Sequence, residues 1–155
     1  MDVSLVQEPD RLLAVLRRTI PAAQLGEFYD GAYRTVLAAL AAEGLEPAGP
    51  ALAWIRFEGA PGPEFDIAAG FPVEGHEPVP LAGEVEIAQV RGGPALVAEH
   101  HGDYAGLPAA WRVVEEQAVA RGLVPRGEVL ETYLTPPVPG GDPAQNRTRL
   151  TMLVR

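Results

Sequence analysis

Gly44-Leu45-Glu46-Pro47-Ala48-Gly49-Pro50-Ala51-Leu52 returns from position 122 as Gly122-Leu123-Val124-Pro125-Arg126-Gly127-Glu128-Val129-Leu130, a shift of 78 that keeps Gly, Leu, Pro, Gly and Leu in place. Each copy follows a helix-like stretch and precedes an alternating apolar one, so the match extends to context as well as letters. The chain reads as a duplication of one half, with repeats at about 1–78 and 79–155 inside a single domain of 155 residues. Its apolar content of 47% is enough for a core without metal or disulfide support.

Working outward from the first copy, residues 3–7 and 12–18 read as extended segments around a Glu8-Pro9-Asp10 turn. Pro21 stops the second segment. Residues 22–43 carry Leu25, Phe28, Tyr29, Ala32, Val36, Ala39 and Leu40 on one helical stripe, and Gly44 supplies a left-handed stop. Strands follow at 51–57 and 65–73, joined by a turn at 59–63. The second copy runs in the same order: strands at 85–90 and 95–101, a helix over 107–121 with Pro108 in its first turn, and strands at 129–134 and 150–154. Residues 136–146 are Pro-, Gly- and Asp-rich and read as loop, while Pro78-Val79-Pro80 and Gly83 mark the joint. The expected architecture is α+β: two βαββ modules, each with an extra leading strand, forming an antiparallel sheet of about eight strands. Two main helices cover one face, and a ligand groove lies at the junction.

The missing residue types remove whole classes of chemistry. There is no Cys, and all 12 basic residues are Arg, so thiolate, disulfide, Cys-zinc and lysine Schiff-base chemistry are excluded. Ser4 is the sole serine and lacks a nucleophile elbow. The three histidines are His76, His100 and His101, and adjacent residues on a strand face opposite ways, so no metal site and no cofactor are expected. A net charge of −9 argues against a nucleic-acid partner. No apolar run approaches membrane-spanning length and the start lacks an export signal, so a cytoplasmic protein is expected.

Carboxylate, tyrosine and aromatic rings remain. On the strand after the second repeat, Val129, Glu131 and Tyr133 share one face. The 78-residue shift gives Glu131 the counterpart Ala53, so the sheet itself does not require the charge. A carboxylate buried there costs several kcal/mol unless it is paired, hydrogen-bonded or protonated. Two readings stand: a water-exposed Glu on a two-sided sheet, or an acid at the floor of a pocket. Tyr29, Tyr33, Trp54, Tyr104 and Trp111 are the rings that could surround it, with plain core packing as the alternative for each. His100 and His101 read as a strand end and turn, and Arg17-Arg18 as a solvated pair.

His101-Gly102-Asp103-Tyr104-Ala105-Gly106-Leu107, Trp111, Gly122-Leu123-Val124-Pro125, Glu131-Thr132-Tyr133, Pro136-Pro137 and Asp142-Pro143 resemble the GyrI-like family, also known as the AraC-type or BmrR-like effector-binding domain. Residues 65–73 look like the family's closing strand of the first half, so the resemblance covers essentially the whole chain. It implies two tandem βαββ modules with a pocket at their junction. In multidrug-sensing relatives a pocket glutamate among aromatic rings receives lipophilic cations, and Glu131 matches that motif. The ligand-binding set implied is Tyr29, Tyr33, Trp54, Tyr104, Trp111, Glu131 and Tyr133. No DNA-binding helices flank the domain in this sequence, so a free-standing pocket protein is expected rather than a complete transcription regulator.

Three functions follow from the resemblance. The first is binding of hydrophobic, cationic or planar aromatic compounds. The second is hydrolysis of strained cyclopropane groups on DNA-alkylating natural products, with Glu131 as general base and Tyr133 or Tyr104 as hydrogen-bond donor. The third is inhibition of DNA gyrase through a protein interface. The Lys-free, Ala/Gly/Pro/Arg-rich composition suggests a high-GC bacterial source.

Overall fold

The computed structural model describes residues 1–57, 64–136 and 140–155. Among them the strands are β1 (Ser4–Glu8), β2 (Arg11–Pro21), β3 (Leu52–Arg56), β4 (Glu64–Val73), β5 (Val79–Pro80), β6 (Val85–Val90), β7 (Gly93–His101), β8 (Pro125–Tyr133) and β9 (Arg147–Val154). The helices are α1 (Leu25–Ala42) and α2 (Leu107–Ala120), each preceded by a short 3-10 turn. All nine strands belong to one antiparallel sheet in the order β1-β7-β9-β8-β3-β4-β2-β6-β5. The expected α+β sheet with two helices is therefore present, with β5 at the joint as the ninth strand.

The strand order reads nearly the same from either end, as a duplication requires, but the halves are not self-contained. β1 pairs with β7 of the second half, while β6 pairs with β2 of the first. Each half has given its leading strand to the other. The two links that carry the exchange pack back to back: Gly92 N–H donates to Asp10 Oδ1 at 2.7 Å, and a Cβ on Gly92 would stand 2.2 Å from the Glu8 carbonyl oxygen. Only glycine fits there.

Both helices lie on one face. Ala32, Val36, Ala39 and Leu40 of α1 pack on Ala14, Leu16, Ala69 and Val73. Ala110, Val114 and Ala118 of α2 pack on Leu96, Ala98, Val129, Leu150 and Met152. The helical stops fall as expected, with Gly44 at φ 68° and Gly122 at φ 67°. The opposite face has a third buried cluster, including Leu13, Val15, Leu52, Trp54, Ala68, Val90, Ala95, Leu130 and Leu153. No helix of the described residues lies over it; curling of the sheet closes it. Arg126 on β8 shows the curl, since its guanidinium donates to the carbonyls of Gly92 and Arg91 on the far link.

Differences from the sequence reading sit at element ends, where tertiary pairing extends strands past their local signal. α1 starts at Leu25 because residues 22–24 wind as a 3-10 turn. β8 starts at Pro125 and absorbs Gly127 through a register shift, and β9 starts at Arg147. The loop expected at 136–146 holds a 3-10 turn at Pro143–Gln145. Its residues 137–139, and the turn expected at 59–63, lie outside the described residues.

Two glycines test this packing in opposite directions. A Cβ on Gly70 would come 1.8 Å from the Ala14 carbonyl oxygen, whereas one on Gly31, in α1, meets nothing within 4 Å. Gly70→Ala is expected to lower stability by at least about 2 kcal/mol through overpacking. Gly31→Ala is expected to raise it by about 0.5–1 kcal/mol. Urea unfolding midpoints compare the two, and an unchanged midpoint for Gly70→Ala would contradict the β2–β4 register.

Candidate functional site

β3 and β8 pair across the centre of the sheet, with Ala53 directly opposite Glu131. The row across the helix-facing side runs Ala98, Leu150, Glu131, Ala53 and Ala69 on five neighbouring strands. Two alanines beside one glutamate leave a trough between α1 and α2. Large rings fill it: Tyr29 and Tyr33, one turn apart on α1, from one side, and Trp111 of α2 from the other.

Glu131 is buried, 8% exposed, on a central strand, so the solvent-exposed reading of this residue is set aside. Trp111 Nε1 donates to Oε2 at 2.7 Å and Tyr133 O–H donates to Oε1 at 2.8 Å. These two bonds offset the desolvation: hydrogen bonds to a charged acceptor contribute about 1.5–3 kcal/mol each. Among the described residues Glu131 forms no ion pair. The carboxylate is held by neutral donors only.

The rings form a continuous chain around it. Tyr133 has Tyr104 at 5.6 Å and Tyr29 at 6.4 Å, both edge-on. Tyr29 stacks on Tyr33 at 6.0 Å, and Tyr33 meets Phe71 edge-on at 5.7 Å. Tyr33 O–H donates to the Leu52 carbonyl at 3.1 Å, which anchors that ring to β3. Tyr104, 46% exposed, stands at the outer edge.

Tyr29, Tyr33, Tyr104, Trp111, Glu131 and Tyr133 thus come together. Trp54 does not, and the expectation that it lines the same pocket is corrected. Its partner across the β3–β8 pairing is Leu130, so it points to the opposite face and joins the third cluster. Arg17 is corrected as well: it is half-buried and its guanidinium carbon lies 4.8 Å from the Trp54 ring centre. His100 is engaged through Nε2 with the Asp103 carbonyl and His101 with Glu99. Among the described residues no group of three His, Asp or Glu could hold a metal. Phe71 was missed by the sequence reading, although it follows Ala69 at period 2 on β4. Thr148 was also missed; it is fully buried opposite Tyr133, and its hydroxyl has no hydrogen-bond partner.

Burial, with the Glu131 charge second, pushes Tyr29 up from 10 to about 12. The same two causes lead for Tyr133, and burial leads for Tyr33; both are pushed well up. All three phenols stay protonated donors through the neutral range. The folded state then holds these protons longer than the unfolded chain, so stability is intact below pH 10 and falls as pH rises from 10 through about 12. Absorbance of phenolate at alkaline pH measures this. Glu131→Gln should bring the Tyr29 transition partway down, burial remaining; an unmoved transition would show that the charge does not reach the ring.

A model of the GyrI-like small molecule binding domain matches residues 1–155. No curated protein gives a significant match. Among solved structures, the EcmrR–DNA complex is 16% identical with a TM-score of 0.80, covering 99% of this chain and 57% of that one. This chain thus spans just over half of the EcmrR chain. SAV2435 bound to tetraphenylphosphonium is 12% identical with a TM-score of 0.71, covering 100% and 94%. A hydrolase from Listeria innocua is 10% identical with a TM-score of 0.68, covering 99% and 92%. These structures share the fold, and the match along the whole length shows that the chain belongs to the GyrI-like small-molecule-binding family.

Proposed function

We propose that the domain captures lipophilic organic cations and planar aromatic compounds at Glu131, for sequestration or sensing in the cytoplasm. The observation that carries this is a buried carboxylate with aromatic neighbours and, among the described residues, no basic partner. A delocalised cation supplies the missing charge at low desolvation cost, and ring faces attract it further. Trp111 and Tyr133 each use one lone pair of the carboxylate, so others remain for a ligand. Entry requires the trough rings to give way, Tyr104 at the exposed rim first among them. The tetraphenylphosphonium held by SAV2435, a protein of the same fold, agrees in chemical class.

A second reading is favoured by the Tyr133–Glu131 hydrogen bond, which pairs a carboxylate with a phenol kept protonated. In cyclopropane hydrolysis a water oxygen would bond to a ring carbon while Glu131 takes its proton. The strained C–C bond breaks, and its electron pair runs to the conjugated carbonyl, whose oxygen accepts from Tyr133 or Tyr104. Hydrolases of this fold from Listeria innocua are consistent with it. The gyrase-inhibitor reading comes from the family resemblance, and the net charge of −9 is permissive and nothing more.

Calorimetric titration with tetraphenylphosphonium should give saturable binding that Glu131→Gln weakens by about 10- to 100-fold. Equal affinity of both proteins would remove the carboxylate from recognition. Incubation with a cyclopropane-bearing alkylator separates the second reading: a ring-opened product carrying one added water, lost in Glu131→Gln, makes the protein a hydrolase, and compound retained by the protein and recovered unchanged makes it a binder.

A further inference from the structure

We propose that the sheet face turned away from the helices carries a second binding site, for a small oxyanion such as a carboxylate or phosphate, built by Arg17 and Arg56 over the Trp54 ring. It shares no residue with the Glu131 site.

The cross-strand row Leu130, Trp54, Ala68 and Arg17 explains the arrangement. Ala68 is small enough for the indole to lie across β4 toward β2. The Arg17 guanidinium carbon is 4.8 Å from the indole ring centre and that of Arg56, two residues along β3, is 4.2 Å away. Stacking uses the flat face of a guanidinium and leaves its N–H donors free at the edge. Among the described residues those donors make no hydrogen bond to a carboxylate and have only long ion pairs. Arg11, Arg18, Arg126, Arg147 and Arg149 each hydrogen-bond a carboxylate. Among the described residues neither Arg17 nor Arg56 does: their nearest carboxylate oxygens are Asp66 Oδ1 at 3.6 Å and Glu128 Oε2 at 4.0 Å.

Glu128 is committed elsewhere, accepting from Trp54 Nε1 at 3.1 Å and Arg126 Nε at 3.0 Å. Arg56 Nε is buried without a hydrogen-bond partner, as is Asp66 Oδ1. Burial and then the neighbouring Arg56 charge lower the Arg17 pKa, while the charges of Asp66, Glu86 and Glu128 act on Arg17 in the opposite sense. Beside them a hollow of about 270 Å³ is lined by Arg56, Arg126, Gly127 and Glu128. The hollow is bordered by Arg56 and not by Arg17, so a tetrahedral or planar oxyanion would lie at its Arg56 edge, over the indole, accepting from the edge donors of both stacked guanidiniums in competition with Asp66 and Glu128.

The test is guanidinium NMR of the whole 155-residue chain, following the Arg56 and Arg17 Nε–H signals as sodium phosphate or sodium benzoate is added at constant ionic strength against chloride. Saturable movement of both signals in the millimolar range is expected, and the two anions show whether phosphate or carboxylate is preferred. Arg56→Gln should weaken binding by about tenfold or more, and Arg56→Lys should not restore it, because the fork geometry is lost. Linear, chloride-like drift with both anions would overturn the proposal, as would saturable binding that Arg56→Gln leaves unchanged. Should Arg56→Gln unfold, the native-protein titration and Arg17→Gln decide.

Discussion

Because β3 and β8 pair antiparallel at the centre of the sheet, Ala53 lies directly beside Glu131, and most of the functional geometry follows from that contact. The alanine provides the space into which α1 can lower two tyrosines. Strand alternation then puts Tyr133 on the same face as the acid, close enough to donate to it. The helix stripe does the same for Trp111, which faces the sheet with Ala110 and Val114. A buried charge is tolerated because two donors from different elements converge on it.

Charge is sorted between the two faces. The helix-side trough holds one carboxylate among neutral rings, while the opposite face brings Arg17 and Arg56 over one indole with Asp66 and Glu128 beside them. The sorting is a consequence of period 2: Glu131 and Leu130 are neighbours in the chain and face opposite ways. Trp54 and Ala53 are separated in the same manner.

Much of this was legible in the sequence. The repeat and the Gly44 and Gly122 stops gave the helices and their order, and alternation placed Glu131 with Tyr133 on one face. The exchange of leading strands was not legible, because residues 3–7 alternate equally well against either half and only the crossing at Gly92 selects the partner. Trp54 was misplaced although it follows Ala53, the repeat counterpart of Glu131, and alternation sends neighbours on a strand to opposite faces, as the pairing with Leu130 shows. Arg17 looked solvated because nothing local shows that Ala68 lets an indole reach it.

The 78-residue shift that relates the halves also maps Ala53 onto Glu131, and these two residues face each other in the sheet. The pseudo-twofold axis therefore passes between them. In a homodimer of identical βαββ units, a glutamate at this position would confront its own copy across the axis, with Cβ atoms about 5 Å apart and like charges directly opposed. A symmetric pair must forgo the acid or force a shared proton upon it. Fusing the two copies into one chain releases that constraint: one half can carry the carboxylate while the other recedes to a methyl group, so an asymmetric single-acid site becomes possible on a symmetric scaffold.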